Sequence, residues 1–218
     1  MKLIDLLVEF GGDLLSGLGV TLQLAITGII FASIIGIVCA IINVSKNKYL
    51  KIITSIYINI IRGTPFLVQA YIIYFGLPGA FGIRMSELTA GIIAISLNAG
   101  AYMAEIIRGG IEAVDKGQME AARSLGLSSR KAMRKIILPQ ALRTMTPSLI
   151  NQFIITLKDT SILSIIGIRE LTMAGKLVIA KNYESMAMWS LVALYYFIII
   201  YVITKISRYI ERKTAYGK

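Results

Sequence analysis

The sequence predicts an all-α integral membrane protein with five transmembrane helices, an amphipathic helix ahead of them and a structured loop between the third and fourth. Three observations carry that. Of the 218 residues, 56% are hydrophobic and the mean hydropathy is +0.73, where soluble domains hold roughly 45–50% apolar residues. Charge disappears over long stretches: none stands between Leu14 and Ser45, and about 20 apolar helical residues cross a bilayer. Basic residues collect in alternate connecting segments, as they do where one side of a membrane is favoured for them.

In chain order, residues 1–17 place Lys2, Asp5, Glu9 and Asp13 on one side of a helical wheel and Leu3, Leu7, Phe10 and Leu14 on the other. That pattern predicts a helix lying on the membrane surface. The acidic start lacks the basic n-region of a secretory signal, so no cleaved leader is expected. The first span covers residues 18–42 and carries Gly28, Ala32, Gly36 and Ala40 at a spacing of four. Small residues in such a row let helices approach closely, and packing within the bundle explains them better than a subunit contact. The second span covers residues 52–76, with Arg62 and Pro65 inside it, and the third residues 88–104. The fourth covers residues 142–157 around Pro147, and the fifth residues 185–204. The chain reads as a single domain, 1–218.

Charge sets the expected orientation. With the N-terminus outside, the inner segments hold Lys46, Lys48 and Lys51, the basic residues between Glu105 and Arg143, and Lys205, Arg208, Arg212, Lys213 and Lys218. That is sixteen basic residues against five acidic inside, and six against seven outside. An N-out, C-in chain therefore explains the net charge of +11 without any nucleic acid. With no histidine and one cysteine, Cys39, neither a metal site nor an internal disulfide is expected.

The loop over residues 105–143 is too long for a simple connection. Asp115 and Gln118 stand as the N-cap and N3 of a capping box. They would open a helix through Glu120, Ala121, Ala122, Arg123 and Ser124 to Leu125, ended by a left-handed Gly126. Ser128 would cap a second helix running to Ile137 and stopped by Pro139.

Polar side chains at membrane depth are functional candidates. At 1.5 Å per residue, Arg62 and Asn98 each stand about 16 Å along their spans, and Tyr102 lies one turn beyond Asn98. Asn151 and Gln152 reach a similar depth. Lys158, Asp159, Thr160 and Ser161 close the fourth span. A zwitterion could be met by Lys158 or Arg62 at its carboxylate and by Asp159 or Glu105 at its ammonium. Equally, Arg62 and Glu105 could form an ion pair between spans, and Asn98 an interhelical hydrogen bond.

The loop carries a more specific signal. Glu120-Ala121-Ala122, three residues, Gly126, nine residues, Ile136, one residue, Leu138-Pro139 resembles in full the EAA loop of permease subunits of binding-protein-dependent ABC importers. Further stretches resemble the polar amino acid branch: Arg62-Gly63-Thr64-Pro65 with Gln69; Gly100-Ala101-Tyr102 leading through Glu105 to Arg108-Gly109-Gly110; Gly117-Gln118; and Lys158-Asp159-Thr160-Ser161. The resemblance implies a type I importer permease fold in a bacterial or archaeal cell membrane. It implies two ATPase subunits, a second permease subunit (identical or homologous), an extracytoplasmic solute-binding protein and surrounding lipid as partners. It also implies alternating-access transport of polar, possibly basic, L-amino acids. Gln118, Glu120, Ala121, Ala122, Arg123, Ser124, Leu125 and Gly126 would couple to the ATPase. Arg62, Gln69, Asn98, Tyr102, Glu105, Lys158, Asp159, Thr160 and Ser161 would be the solute-binding candidates. The chain has no phosphate-cradling glycine loop. ATP and Mg would sit on the partner subunits, leaving this chain no enzyme by itself and without a cofactor of its own. An ion-coupled secondary transporter is the alternative; it would ordinarily show internal repeats, and the sequence has none.

Overall fold

The computed structural model describes residues 3–45 and 47–215. Lys2, Lys46 and Lys218, used in the charge reading, lie outside them, and the side chains of Arg212 and Lys213 are likewise not described. Regular structure among the described residues is helical: α1 (Leu3–Val44), α2 (Lys48–Arg62), α3 (Phe66–Tyr71), α4 (Leu77–Phe81), α5 (Glu87–Glu112), α6 (Lys116–Ser124), α7 (Ser129–Ala132), α8 (Leu138–Asp159), α9 (Leu171–Asn182) and α10 (Ser185–Ala215). Four stretches are long and apolar enough to cross a membrane, or five if the bent α2–α4 unit is one span.

The first correction concerns α1. It is one unbroken helix of 42 residues, about 63 Å at 1.5 Å per residue, twice the roughly 30 Å hydrocarbon core. Residues 3–17 are therefore the first turns of the spanning helix, with no boundary at residue 17. One face of these turns packs on protein, with Leu6 and Leu14 fully buried against Leu171, Val178, Met188 and Leu191 of α9 and α10, while Leu3 and Leu7 of the expected apolar side stay exposed.

The second span is broken. α2 and the α3–α4 segment meet at 108°, because Gly63, Thr64 and Pro65 separate them and Pro65 has no N–H to continue the ladder. Pro139, by contrast, does not stop a helix as expected. A wide turn with i→i+5 bonding over Met133–Ile137 precedes it, and Pro139 falls in the first turn of α8. The widened turn frees the carbonyl that the ring would strike. Pro78 follows another such turn, Ile72–Gly76, at the same offset. Residues 129–166 thus form one long helical stretch. The helix α9 was not anticipated at all; its period is obscured by a weakly amphipathic sequence.

α5 is the central post. α1 lies along it through the small-residue row: a Cβ added at Gly28 would stand 2.3 Å from Ile95 Cγ2, and one at Gly36 2.8 Å from Met103 Cβ. Ala32 packs with Ala99 and Met103. The row is an internal helix contact. The opposite faces of α1 and α10 leave Ile26, Ile30, Phe31, Ile34, Phe197 and Ile198 exposed, a surface suited to lipid.

Candidate functional site

The break in the second span creates a chemical demand. Helix α2 ends with carbonyls that no following N–H can reach. Gln69, on α3, meets it: its Nε2 donates to Ile61 O at 2.7 Å, Thr64 O at 3.1 Å and Thr64 Oγ1 at 2.9 Å. Gln69 is buried, and its Oε1 accepts from Asn98 Nδ2 at 2.9 Å. Asn98 sits on α5 where Ala94, Ala99 and Ala101 leave room for its neighbours to close in.

Asn98 also lines a tight crevice, with no room for a water molecule, together with Phe66, Ile95, Ala99, Thr156 and Asp159. Phe66 comes from the first turn of α3, directly after the break. Thr156 and Asp159 share one face of α8, three residues apart. Thr156 Oγ1 accepts from the buried Gln152 Nε2 at 3.4 Å. Among the described residues no hydrogen bond reaches the Asp159 carboxylate or Asn98 Oδ1. The crevice therefore offers a carboxylate, an amide oxygen and a hydroxyl, walled by Phe66 and Ile95. That set can receive a cation with N–H donors.

The other candidates are elsewhere or already occupied. Glu105 pairs with Arg62 Nη1 at 3.0 Å and with both Arg108 Nε and Nη2 at 3.0 Å. Arg108 continues to Glu112 at 2.6 Å. The Arg62 guanidinium lies 5.5 Å from the centroid of the half-exposed Tyr102 ring. These residues form an ion chain that ties the end of α2 to α5. Lys158 is exposed and is not among the crevice walls. The hydroxyls of Thr160 and Ser161 donate to Leu157 O and Lys158 O, both at 2.7 Å. Asn151 is exposed. The crevice thus unites Asn98 and Asp159, adds Gln69 through a hydrogen bond and leaves the rest outside. Phe66 and Thr156 were missed. Thr156 could have been found from its i, i+3 relation to Asp159, and Phe66 from its place behind the helix-breaking Pro65.

The second site is the hairpin of α6 and α7. Asp115 caps α6 by accepting from Gly117 N at 2.7 Å. The expected reciprocal bond from Gln118 does not form, since its Oε1 accepts from Gln140 at 3.4 Å instead. Gly126 has φ +85°, with Gly126 N donating to Arg123 O at 2.9 Å and Leu127 N to Ala122 O at 3.1 Å. Those two bonds close a Schellman motif. Ser128 occupies the next N-cap position without a side-chain bond. Ala122 is buried, while Glu120, Ala121, Arg123, Ser124 and Leu125 are exposed, Leu125 at 84%.

Comparison with known proteins agrees with this architecture. Residues 32–216 match the family described as binding-protein-dependent transport system inner membrane component. The glutamine transport system permease protein GlnP of Escherichia coli (strain K12) is 41% identical over 201 residues, covering 92% of each chain. The arginine transport system permease protein ArtQ of Bacillus subtilis (strain 168) is 35% identical over 200 residues, covering 92% of this chain and 91% of that one. A crystal structure of an amino acid ABC transporter with histidines superposes with a TM-score of 0.93 at 38% identity, covering 98% of this chain and 99% of the other. Nothing in these likenesses favours ion-coupled transport. The chain belongs to the family of inner-membrane components of binding-protein-dependent transport systems.

Proposed function

We propose that this permease passes polar L-amino acids, basic ones included, through a pathway in which the α-ammonium group rests on Asp159 and Asn98. The observation that carries this is the unpaired Asp159 carboxylate in a crevice shared with Asn98, Thr156 and Phe66. The glutamine and arginine permeases among its relatives support the substrate class. The crevice as it stands has no room for a water molecule, whereas ligand pockets begin at roughly 300 Å³. It is the closed form of a site that opens during alternating access, and the break beside Phe66 is the natural hinge. Arg62, Tyr102 and Glu105 brace the bundle and do not touch solute.

The complex holds two ATPase subunits, a second permease chain and an external binding protein, with ATP and Mg bound by the ATPases. The exposed face of α6 docks on an ATPase from the cytoplasmic side. A short helix capped by Asp115 and closed by a Schellman turn is stiff enough to transmit rigid-body motion. The chain runs N-out and C-in, a reading supported by the excess of basic residues on one side.

The test is uptake by the reconstituted complex at saturating binding protein. Asp159→Asn preserves shape and removes charge. Losing a charge-assisted hydrogen bond costs about 1.5–3 kcal/mol, a tenfold or greater drop in apparent affinity. Wild-type uptake of basic, neutral polar and acidic amino acids by this variant would place the solute elsewhere. Transport by the permease without ATPase subunits would restore the ion-coupled alternative.

A further inference from the structure

The amide of Gln69 is forced into one orientation. All three groups facing its Nε2 accept. Ile61 O and Thr64 O are carbonyls, and Thr64 Oγ1 has already given its proton to Ile60 O at 2.8 Å. Turning the amide over would set its oxygen against the two carbonyls, leave both of them without their donor, and require Thr64 to abandon Ile60 O to satisfy it. Gln69 Oε1 must therefore face Asn98, which in turn must present Nδ2–H to it at 2.9 Å. The Asn98 Oδ1 is then left on the other side of that amide, and Asn98 is one of the residues that line the crevice with Asp159.

We infer that Gln69 is the positioning residue that sets the hydrogen-bond polarity of the solute crevice. Acting through Asn98, it sets the Asn98 amide oxygen as an acceptor beside the Asp159 carboxylate, a pair that selects solutes bearing an ammonium group. The unfilled carbonyls at the end of α2 are the origin of this polarity, so the helix break specifies the chemistry of a site a full side chain away. Neither Gln69 nor the break touches solute. Asn98 alone could rotate its amide by half a turn and offer N–H donors, which would suit a carboxylate as well as an ammonium. The inference rests on the assignment of the crevice as the solute site.

The test is equilibrium binding to the solubilised permease–ATPase complex. The probes are L-glutamine against glutaramate and L-arginine against δ-guanidinovalerate, each pair differing only in the α-ammonium group. The quantity read is the affinity ratio within a pair. Gln69→Met fills the same space without polar atoms and should shrink that ratio by about tenfold, the value of one hydrogen bond to a charged group. Asn98→Ala should shrink it equally, and the double variant should be no worse than Asn98→Ala alone, because Gln69 acts through Asn98. An unchanged ratio in Gln69→Met, or additive losses in the double variant, would overturn the inference. If Gln69→Met fails to assemble, Asn98→Ala decides. Weakening of the amino acids but not of their deaminated analogues supports an acceptor polarity, and equal weakening of both refutes it. Asp159→Asn separates the two levels: undiminished binding in that variant, or no binding of either amino acid by wild type, overturns the assignment of the crevice itself.

Discussion

Glu170 and Asp159 are carboxylates that differ in burial and in partners. Glu170 is fully buried and accepts from Thr172 N at 2.9 Å, Met173 N at 2.8 Å and Tyr196 Oη at 2.9 Å. It caps α9 and ties it to α10, leaving no capacity for a ligand. Asp159 has no such donors, and its carboxylate keeps its accepting capacity. Sequence reading singled out Asp159 from its depth and neighbours and passed over Glu170, because an N-cap glutamate before an unanticipated helix has no signature. Burial pushes the Glu170 carboxyl above its ordinary value of 4.5, although the bonds from Thr172, Met173 and Tyr196 pull the other way. A carboxyl that ionises less readily when folded contributes most stability while protonated. That contribution fades as pH rises past the ordinary value and through the raised one. Glu170→Gln keeps an oxygen for the cap and cannot ionise. Relative to wild type, its thermal unfolding temperature should gain as pH rises above the ordinary carboxyl value of 4.5. A constant difference across that rise would show that the carboxyl ionises as easily folded as unfolded.

Helices and their joints show where local sequence rules suffice and where packing overrides them. The left-handed Gly126 was legible because a helix ending before a glycine has few alternatives, and it stands at φ +85°. Gly126→Val would force a β-branched side chain into that region. The spans should still insert, while uptake and solute-stimulated ATP hydrolysis fall together. Normal coupling in that variant would remove the turn from the transmission path. Pro139 misled for a physical reason: proline ends a regular helix, yet the i→i+5 turn at Met133–Ile137 absorbs it. Such a turn leaves no mark in the sequence beyond the proline itself. The small-residue row was legible as a close contact, and its partner was not, since nothing local says that α5 rather than another chain fills it. Gly36 now has a specific cost. A Cβ there would stand 2.8 Å from Met103 Cβ and 3.2 Å from the backbone of Met103 and Ala104, which cannot yield. Gly36→Ala should destabilise the solubilised chain by about 1–3 kcal/mol. Gly12→Ala, on the same helix with nothing within 4 Å, should be neutral or gain up to about 1 kcal/mol from helix propensity. Equal unfolding temperatures for the two variants would contradict the tight α1–α5 seam.

At the scale of the whole molecule, hydropathy and charge gave the number and order of the spans, and only tertiary contacts show how far they extend. The first span overshoots any bilayer because α9 and α10 cover its early turns. The second is bent by 108° where its own composition looked continuous. Orientation depends on the one term that acts across the entire chain, the distribution of basic residues, with sixteen on the side of the α6–α7 hairpin and six on the other. The hairpin can reach an ATPase only if that side is cytoplasmic, so topology and coupling stand or fall together. Ser129 opens α7 and is exposed, a suitable position for a single label. Cys39, the natural thiol, is buried against Ile58, Ala101 and Ala104, and Cys39→Ala removes it with a small loss of volume. In that background Ser129→Cys should resist a membrane-impermeant maleimide in sealed cells and react once the membrane is opened. A cysteine at Tyr183, exposed at the far end of α9, should show the reverse, reacting in sealed cells. Ready labelling at 129 with protection at 183 would invert the chain in the membrane and separate the α6–α7 hairpin from any cytoplasmic ATPase.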